Sequence, residues 1–247
     1  MIISITNQKG GIGKTTSTMN LGWALITKKK KTLMIDFDPQ HSLTIAMDLD
    51  PELTKNTIYD VLNGLDIRKA TLTDNKYFYF IPADINLAGA EIDLLGKQNA
   101  LYNVINALRN DFDYILIDCP PALGNLSINA LCASDRVIIP MACDYLAWKG
   151  YELLLGTLDN ARTINKDLDI IGILPTMYFN TNHSKEVLEL IQGTGKAFNT
   201  VISHSVKYKD ATVNGEPIMD YDRKLGKQYL DLAKEVIERA KNSRGES

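Results

Sequence analysis

Short runs of apolar, often β-branched residues recur along the chain, with stretches of mixed polarity between them. Runs of this kind predict buried strands at Ile2–Thr6, Thr32–Asp36, Tyr77–Pro82, Asp113–Asp118, Arg136–Met141, Ile170–Thr176 and Thr200–Ser203. Between most of them the apolar residues fall at helical spacing, which predicts helices over Lys14–Thr27, Thr57–Asn63, Leu101–Asn110, Asn125–Ala133, Tyr145–Ile164 and Ser184–Leu190. A last helix is predicted over Leu225–Lys241. Strand and helix in alternation imply a mostly parallel, twisted sheet with helices on both faces, an α/β fold. Tyr77, Phe78, Tyr79 and Phe80 alternate with nothing polar, so they read as a buried strand rather than a base-stacking platform. No repeat, low-complexity tract or linker divides the chain. Residues 1–247 read as a single domain, with a flexible polar tail expected from about position 242.

Composition narrows the picture modestly. A chain of 247 residues with 45% hydrophobic and 23% charged residues has the make-up of an ordinary globular domain large enough for a sizeable core. Its formal net charge of −3 does not advertise nucleic-acid binding, so any such contact has to come from a local patch. Cys119, Cys132 and Cys143 form no C-x-x-C pair and read as buried thiols in a reducing compartment, not as a disulfide framework or an iron–sulfur site. His41, His183 and His204 lack metal-ligand spacing. The first strand begins at residue 2 and no run reaches the length of a membrane span, so a cytoplasmic protein without a signal peptide is expected.

The chemistry concentrates in Lys9-Gly10-Gly11-Ile12-Gly13-Lys14-Thr15-Thr16, three residues after the first predicted strand. This is a phosphate-binding loop with a departure: the pattern G-x-x-x-x-G-K-[ST] calls for glycine where Gln8 stands. The second half of the pattern is intact, and the physics survives. Glycines let successive N–H groups turn inward on phosphate oxygens, and the following helix offers its N-terminal dipole. Lys14 is placed to reach β and γ oxygens, and the Thr15 hydroxyl to hold Mg²⁺. Lys9 adds a second cation, able to neutralise phosphate on its own chain or on a partner's. A glycine-rich turn without function is the competing reading, and two further segments weigh against it. Leu33 to Asp38 is a strand ending in two carboxylates two residues apart, Asp36 and Asp38; Tyr114 to Asp118 is another ending in Asp118, the form of an acidic residue that supports Mg²⁺. In a parallel sheet the carboxyl ends of the strands form the ligand crevice, where all three would meet the loop.

Together these segments resemble the deviant Walker A, A′ and B motifs of the ParA/Soj branch of the ParA–MinD ATPases. Asn7 to Gly11, Ala88 to Glu91, the run Ile117 to Leu131 and Gly215 to Ile218 resemble ParA/Soj sequence as well, so the likeness spans nearly the whole chain. It implies a P-loop NTPase fold and an ATPase using ATP and Mg²⁺, with Lys9 through Thr16 around the nucleotide. It further implies Asp38 positioning or activating the attacking water, Lys9 and Lys14 stabilising transferred charge, and Thr15, Asp36 and Asp118 at the metal, the carboxylates through water. From the same likeness come an ATP-dependent homodimer in which each Lys9 reaches the other subunit's phosphates, non-specific binding to double-stranded DNA, nucleoid association when ATP-bound, and a ParB-like partner that accelerates slow turnover. A nucleotide-gated adaptor that positions protein cargo without touching DNA is the alternative the same core would serve.

The DNA surface implied by the resemblance lies late in the chain. Ser203 to Ala211 is similar to a family segment that reads Pro-Arg-Asn-Val-Arg-Leu-Ser-Glu-Ala; the two arginines become His204 and Lys207, and Lys209 adds a charge. Arg223, Lys224 and Lys227 follow, and a solvated basic rim is the competing reading. The family's adenine-framing Pro and Asn are Ser203 and Ser205 here, which leaves the adenine contacts unassigned. Lys28 to Lys31 read as a solvated helix end, cations being favoured against the negative end of the dipole. Near the end, Tyr229, Leu230, Leu232, Ala233, Val236 and Ile237 form a stripe suited to packing on the core, and the residues from Glu238 onward lack the apolar side chains of a membrane-binding helix. No membrane contact is expected.

Overall fold

The computed structural model describes residues 1–244, a seven-stranded sheet wrapped by helices. In chain order the elements are β1 (Ile2–Ile5), α1 (Lys14–Thr27), β2 (Thr32–Asp36), α2 (Ser42–Ala46), α3 (Ile58–Leu62), α4 (Ile67–Ala70), β3 (Leu72–Asn75), β4 (Phe78–Ile81), α5 (Ala90–Asp93) and α6 (Ala100–Ile105). They continue with β5 (Tyr114–Asp118), α7 (Asn125–Ala133), β6 (Arg136–Ala142), α8 (Tyr145–Lys149), α9 (Tyr151–Arg162), β7 (Asp169–Thr176), α10 (Asn182–Gly193), α11 (Lys207–Val213), α12 (Ile218–Tyr221) and α13 (Arg223–Arg244). The strand order is β3-β4-β2-β5-β1-β6-β7, and every neighbouring pair is parallel except β3 with β4.

Strands apolar on consecutive positions fill both sides of the sheet. Ile3, Ile5, Met34, Leu116 and Ile138 point to one face, where α1 and α13 pack. Ile2, Leu33, Ile35, Ile115 and Ile117 point to the other, against residues of α3, α6 and α7. Val137, Ile139, Met141 and Ile173 build a third cluster with α9 and α10. The stripe on α13 faces the core: Tyr229, Leu232, Ala233 and Val236 are fully buried, each large apolar side chain contributing about 1.5–3 kcal/mol. Among the described residues no helix is long and apolar enough to cross a membrane. The three cysteines are buried and unpaired.

Four expectations need correction. Thr200–Ser203 is not a strand of the sheet. It runs beside β7 with scattered backbone bonds, while side chains of α13 take the rest: Glu235 accepts from the N–H groups of Asn199 and Thr200, and Gln228 from that of Ser203. The seventh strand is β3, an antiparallel edge whose residues are all exposed. The helix expected over Tyr145–Ile164 is two helices meeting at Gly150, the first capped by Asp144. At the C-terminus α13 continues to Arg244, past the start of the expected polar tail; the rest of that tail lies outside the described residues.

Candidate active site

β1 enters the middle of the sheet and its carboxyl end opens into the loop 6–13, which turns into α1. Two glycines make that turn possible: Gly11 at φ 71° and Gly13, the residue before α1, at φ 92°, both in the left-handed region closed to most side chains. The loop is tied to its surroundings. Asn7 donates to the Pro140 carbonyl at 2.8 Å, and the buried Thr176 hydroxyl at the end of β7 donates to the Ile12 carbonyl at 2.8 Å. Lys14 begins α1 and is buried; its ammonium donates to the backbone carbonyl of Lys9 at 3.2 Å. Burial holds the Lys14 ammonium below its ordinary value, offset in part by the charges of Asp118 and Asp38.

The acidic residues gather where expected. Asp36 and Asp118 are register partners at the carboxyl ends of neighbouring β2 and β5, and both are fully buried. Asp118 receives the Thr15 hydroxyl at 2.7 Å and the Thr18 hydroxyl at 3.0 Å. Asp36 receives the N–H and hydroxyl of Thr44, both at 2.8 Å, and the N–H of Asp38 at 3.2 Å. Burial pushes both carboxyls up from the usual carboxylate range; the hydroxyl and amide donors oppose this, and the charge of Asp36 adds to the rise at Asp118. Asp38, also buried, follows two residues on and accepts from the Gln40 N–H at 2.9 Å.

The donor set is all oxygen, from one hydroxyl and two carboxyls, which suits a hard divalent cation such as Mg²⁺. Among the described residues no three His, Cys, Asp or Glu side chains converge to hold a metal by themselves. Mg²⁺ usually keeps several waters and completes its shell with substrate phosphates. Thr15, with Asp36 and Asp118 through water, are therefore the residues that would hold it.

Lys9 behaves differently from Lys14. Its ammonium forms a two-pronged ion pair with Asp144, 2.9 Å to each carboxylate oxygen, both side chains being over a third exposed. Asp144 follows β6 and also accepts from the Ala147 N–H at 2.8 Å, capping α8. Partial burial would raise its carboxyl, but the bonds from Lys9 and Ala147 hold it below its ordinary range.

Comparison with known proteins fits this geometry. A family model described as an AAA domain matches residues 1–170. The chain is 43% identical over 248 residues to the sporulation initiation inhibitor protein Soj of Bacillus subtilis, covering 95% of this chain and 97% of that one. It is 39% identical over 246 residues to the chromosome-partitioning ATPase Soj of Treponema pallidum, covering 94% and 95%. The chain belongs to the ParA/Soj family of partition ATPases. A solved structure similar to this ParA/Soj chain is that of cobyrinic acid a,c-diamide synthase from Mycobacterium smegmatis with a bound ATP analogue and magnesium. It superposes with a TM-score of 0.84 at 31% identity, over 98% of this chain and 96% of that one.

The late basic residues of this ParA/Soj chain are not equivalent. Lys207 is paired with Asp222 at 2.5 Å, which brings the start of α11 beside the start of α13; Lys227 is paired with Asp231. The His204 ring stacks on exposed Phe179, centroids 4.3 Å apart. Lys209, Arg223 and Lys224 are exposed and make no ion pair among the described residues. Sequence reasoning missed Thr18, Thr44, Thr176 and Asp144. Asp144 and Thr176 had a usable signal, since each follows or ends a strand at the carboxyl edge, where ligands bind. Thr18 and Thr44 lie on α1 and α2, where a threonine carries no such mark.

Proposed function

We propose that this chain is an ATP-driven DNA-partition ATPase. Carrying the reading is the placement of Lys14 and Thr15 at the head of α1 against Asp118, with Asp36 beside them and Asp38 two residues on. ATP binds over loop 9–16, its phosphates on the loop N–H groups and Lys14. Asp38 orients the water that attacks the γ-phosphorus as the bond to the leaving ADP oxygen breaks. Lys14, with Lys9 from a facing subunit, neutralises charge on the transferred group. Bound Mg²⁺ supplies further charge neutralisation at Thr15, Asp36 and Asp118. Intrinsic turnover is slow, and a ParB-like partner accelerates it.

Two subunits close face to face around ATP, because each Lys9 gains a phosphate only in the dimer. Closing joins two copies of the basic surface at Lys207, Lys209, Arg223, Lys224 and Lys227, with His204 at its edge. Doubling the phosphate contacts steepens both DNA affinity and its salt dependence. The test is binding to non-specific duplex DNA with ATP, with ADP and without nucleotide across a salt series, using Asp38→Ala to suppress turnover. Binding that requires ATP and falls steeply with salt is expected. No binding at low salt, with a dimer confirmed by sedimentation, would overturn the DNA reading in favour of a protein cargo.

A further inference from the structure

Lys9 is held at three points. Its N–H donates to the Asn7 side-chain oxygen at 3.1 Å, its carbonyl accepts from Lys14 at 3.2 Å, and its ammonium is gripped by Asp144. The second and third of these involve the groups that the nucleotide phosphates need. Lys14 has three protons to share between the Lys9 carbonyl and a phosphate, but Lys9 cannot lie on Asp144 and reach into a facing subunit.

We infer that Asp144 is a positioning residue that restrains Lys9 within its own subunit and sets a threshold for dimer closure. The inference rests on the reading of Lys9 as a phosphate ligand across the dimer. A phosphate site in the facing subunit competes with Asp144 for the Lys9 ammonium. Asp144 suits a restraint that must open. Its pair with Lys9 is over a third exposed, so water and salt screen it, and a pair of that kind shifts an equilibrium only about two- to fivefold. Its other bond, to the Ala147 N–H, keeps the carboxylate fixed as the cap of α8 whether Lys9 is present or gone. A symmetric dimer opens two such pairs, so removing the charge should tighten dimerisation about four- to twenty-fivefold.

Asp144→Asn separates charge from cap, because the amide oxygen still accepts from Ala147. Sedimentation with ATP would compare Asp38→Ala with the Asp38→Ala/Asp144→Asn double variant. A dimer tighter by about four- to twenty-fivefold supports the restraint; an unchanged or weaker dimer overturns it. A second measurement does not require a dimer. Acetylation of Lys9 in nucleotide-free protein, read by peptide mass spectrometry against exposed Lys29, should run several-fold faster in Asp144→Asn than in the unsubstituted chain. Equal rates would overturn the restraint. If Asp38→Ala with ATP stays monomeric, the dimer reading of the function fails, while the labelling still decides whether Asp144 holds Lys9.

Discussion

Burial acts in the same direction on Asp36 and Asp118. Their position at the ends of adjacent strands places them for a metal, yet removal from water raises both carboxyls. A carboxyl whose folded value is raised binds protons more readily folded than unfolded. Its contribution is therefore present at low pH and lost as pH rises from the usual carboxylate range toward neutrality. The nucleotide-free protein should lose thermal stability between about pH 5 and about pH 8, and Asp118→Asn should flatten that fall. The variant should gain stability relative to the unsubstituted chain at the upper end, because it has no charge to bury there. Parallel melting profiles for the two proteins would sink this account. Lys14 gives a plainer expectation: Lys14→Ala should abolish measurable ATP binding in calorimetry, and an unchanged affinity would remove Lys14 from the site. These residues were legible in the sequence because motif and strand end coincide. Asp144 carried the signal of a strand end, but not its pairing with Lys9, which lies 135 residues away and meets it only through the fold.

At the level of elements, the link between the site and its neighbours runs through the loop after Asp118. α7 begins behind that loop, and its first N–H groups are satisfied from outside: Glu91 accepts from Asn125 at 2.7 Å and from Leu126 at 3.3 Å, while the Asn125 amide donates to the Glu91 carbonyl at 2.7 Å. Gly124 permits this approach, since a Cβ there would lie 2.4 Å from a Glu91 carboxylate oxygen. A carboxylate on the N-terminal N–H groups of a helix is worth about 1 kcal/mol. Glu91→Ala should cost about that much in thermal unfolding, and hydrogen exchange at Asn125 and Leu126 should quicken. Unaltered exchange at those amides would show that the helix end does not depend on Glu91. Six strands were legible because a buried parallel strand is a continuous apolar run, whereas the short helices α2, α4, α5, α11 and α12 were not. β3 was not, since Leu72, Thr73, Asp74 and Asn75 are exposed and show no period of two. Thr200–Ser203 misled for the opposite reason: an apolar residue, Ile202, can be buried beside a sheet without its segment joining the ladder, because Glu235 and Gln228 satisfy the N–H groups of Thr200 and Ser203 instead.

Across the whole molecule, charge has to be read by place, because the total of −3 repels DNA more than it attracts. The cations at Lys28 to Lys31 precede β2, at the amino ends of the strands and away from the nucleotide loop. Lys30 is committed to Asp113, and Lys31 lies over the rings of Tyr79 and Phe112, 4.9 Å from each. Arg223 and Lys224 stand at the start of α13, where the helix dipole disfavours cations, so local stability does not explain them. With Lys209 they make no ion pair among the described residues, whereas Asp222 neutralises Lys207. DNA affinity should therefore depend unequally on these residues. Lys209→Glu with Lys224→Glu removes two contacts per subunit, four in a dimer, and should reduce the slope of log affinity against log salt by about 4. Lys207→Ala should lower the slope less than Lys209→Ala, because the Lys207 ammonium is held by Asp222 while that of Lys209 has no ion-pair partner among the described residues. Lys29→Glu, at the far edge of the sheet, should leave the slope as it was. Fluorescence anisotropy with a duplex of arbitrary sequence, titrated with ATP present over a range of salt, reads all four variants. A slope lowered by Lys29→Glu but not by the Lys209→Glu/Lys224→Glu pair would move the DNA surface to the amino edge of the sheet, where dimer closure at the nucleotide face could not join two copies of it.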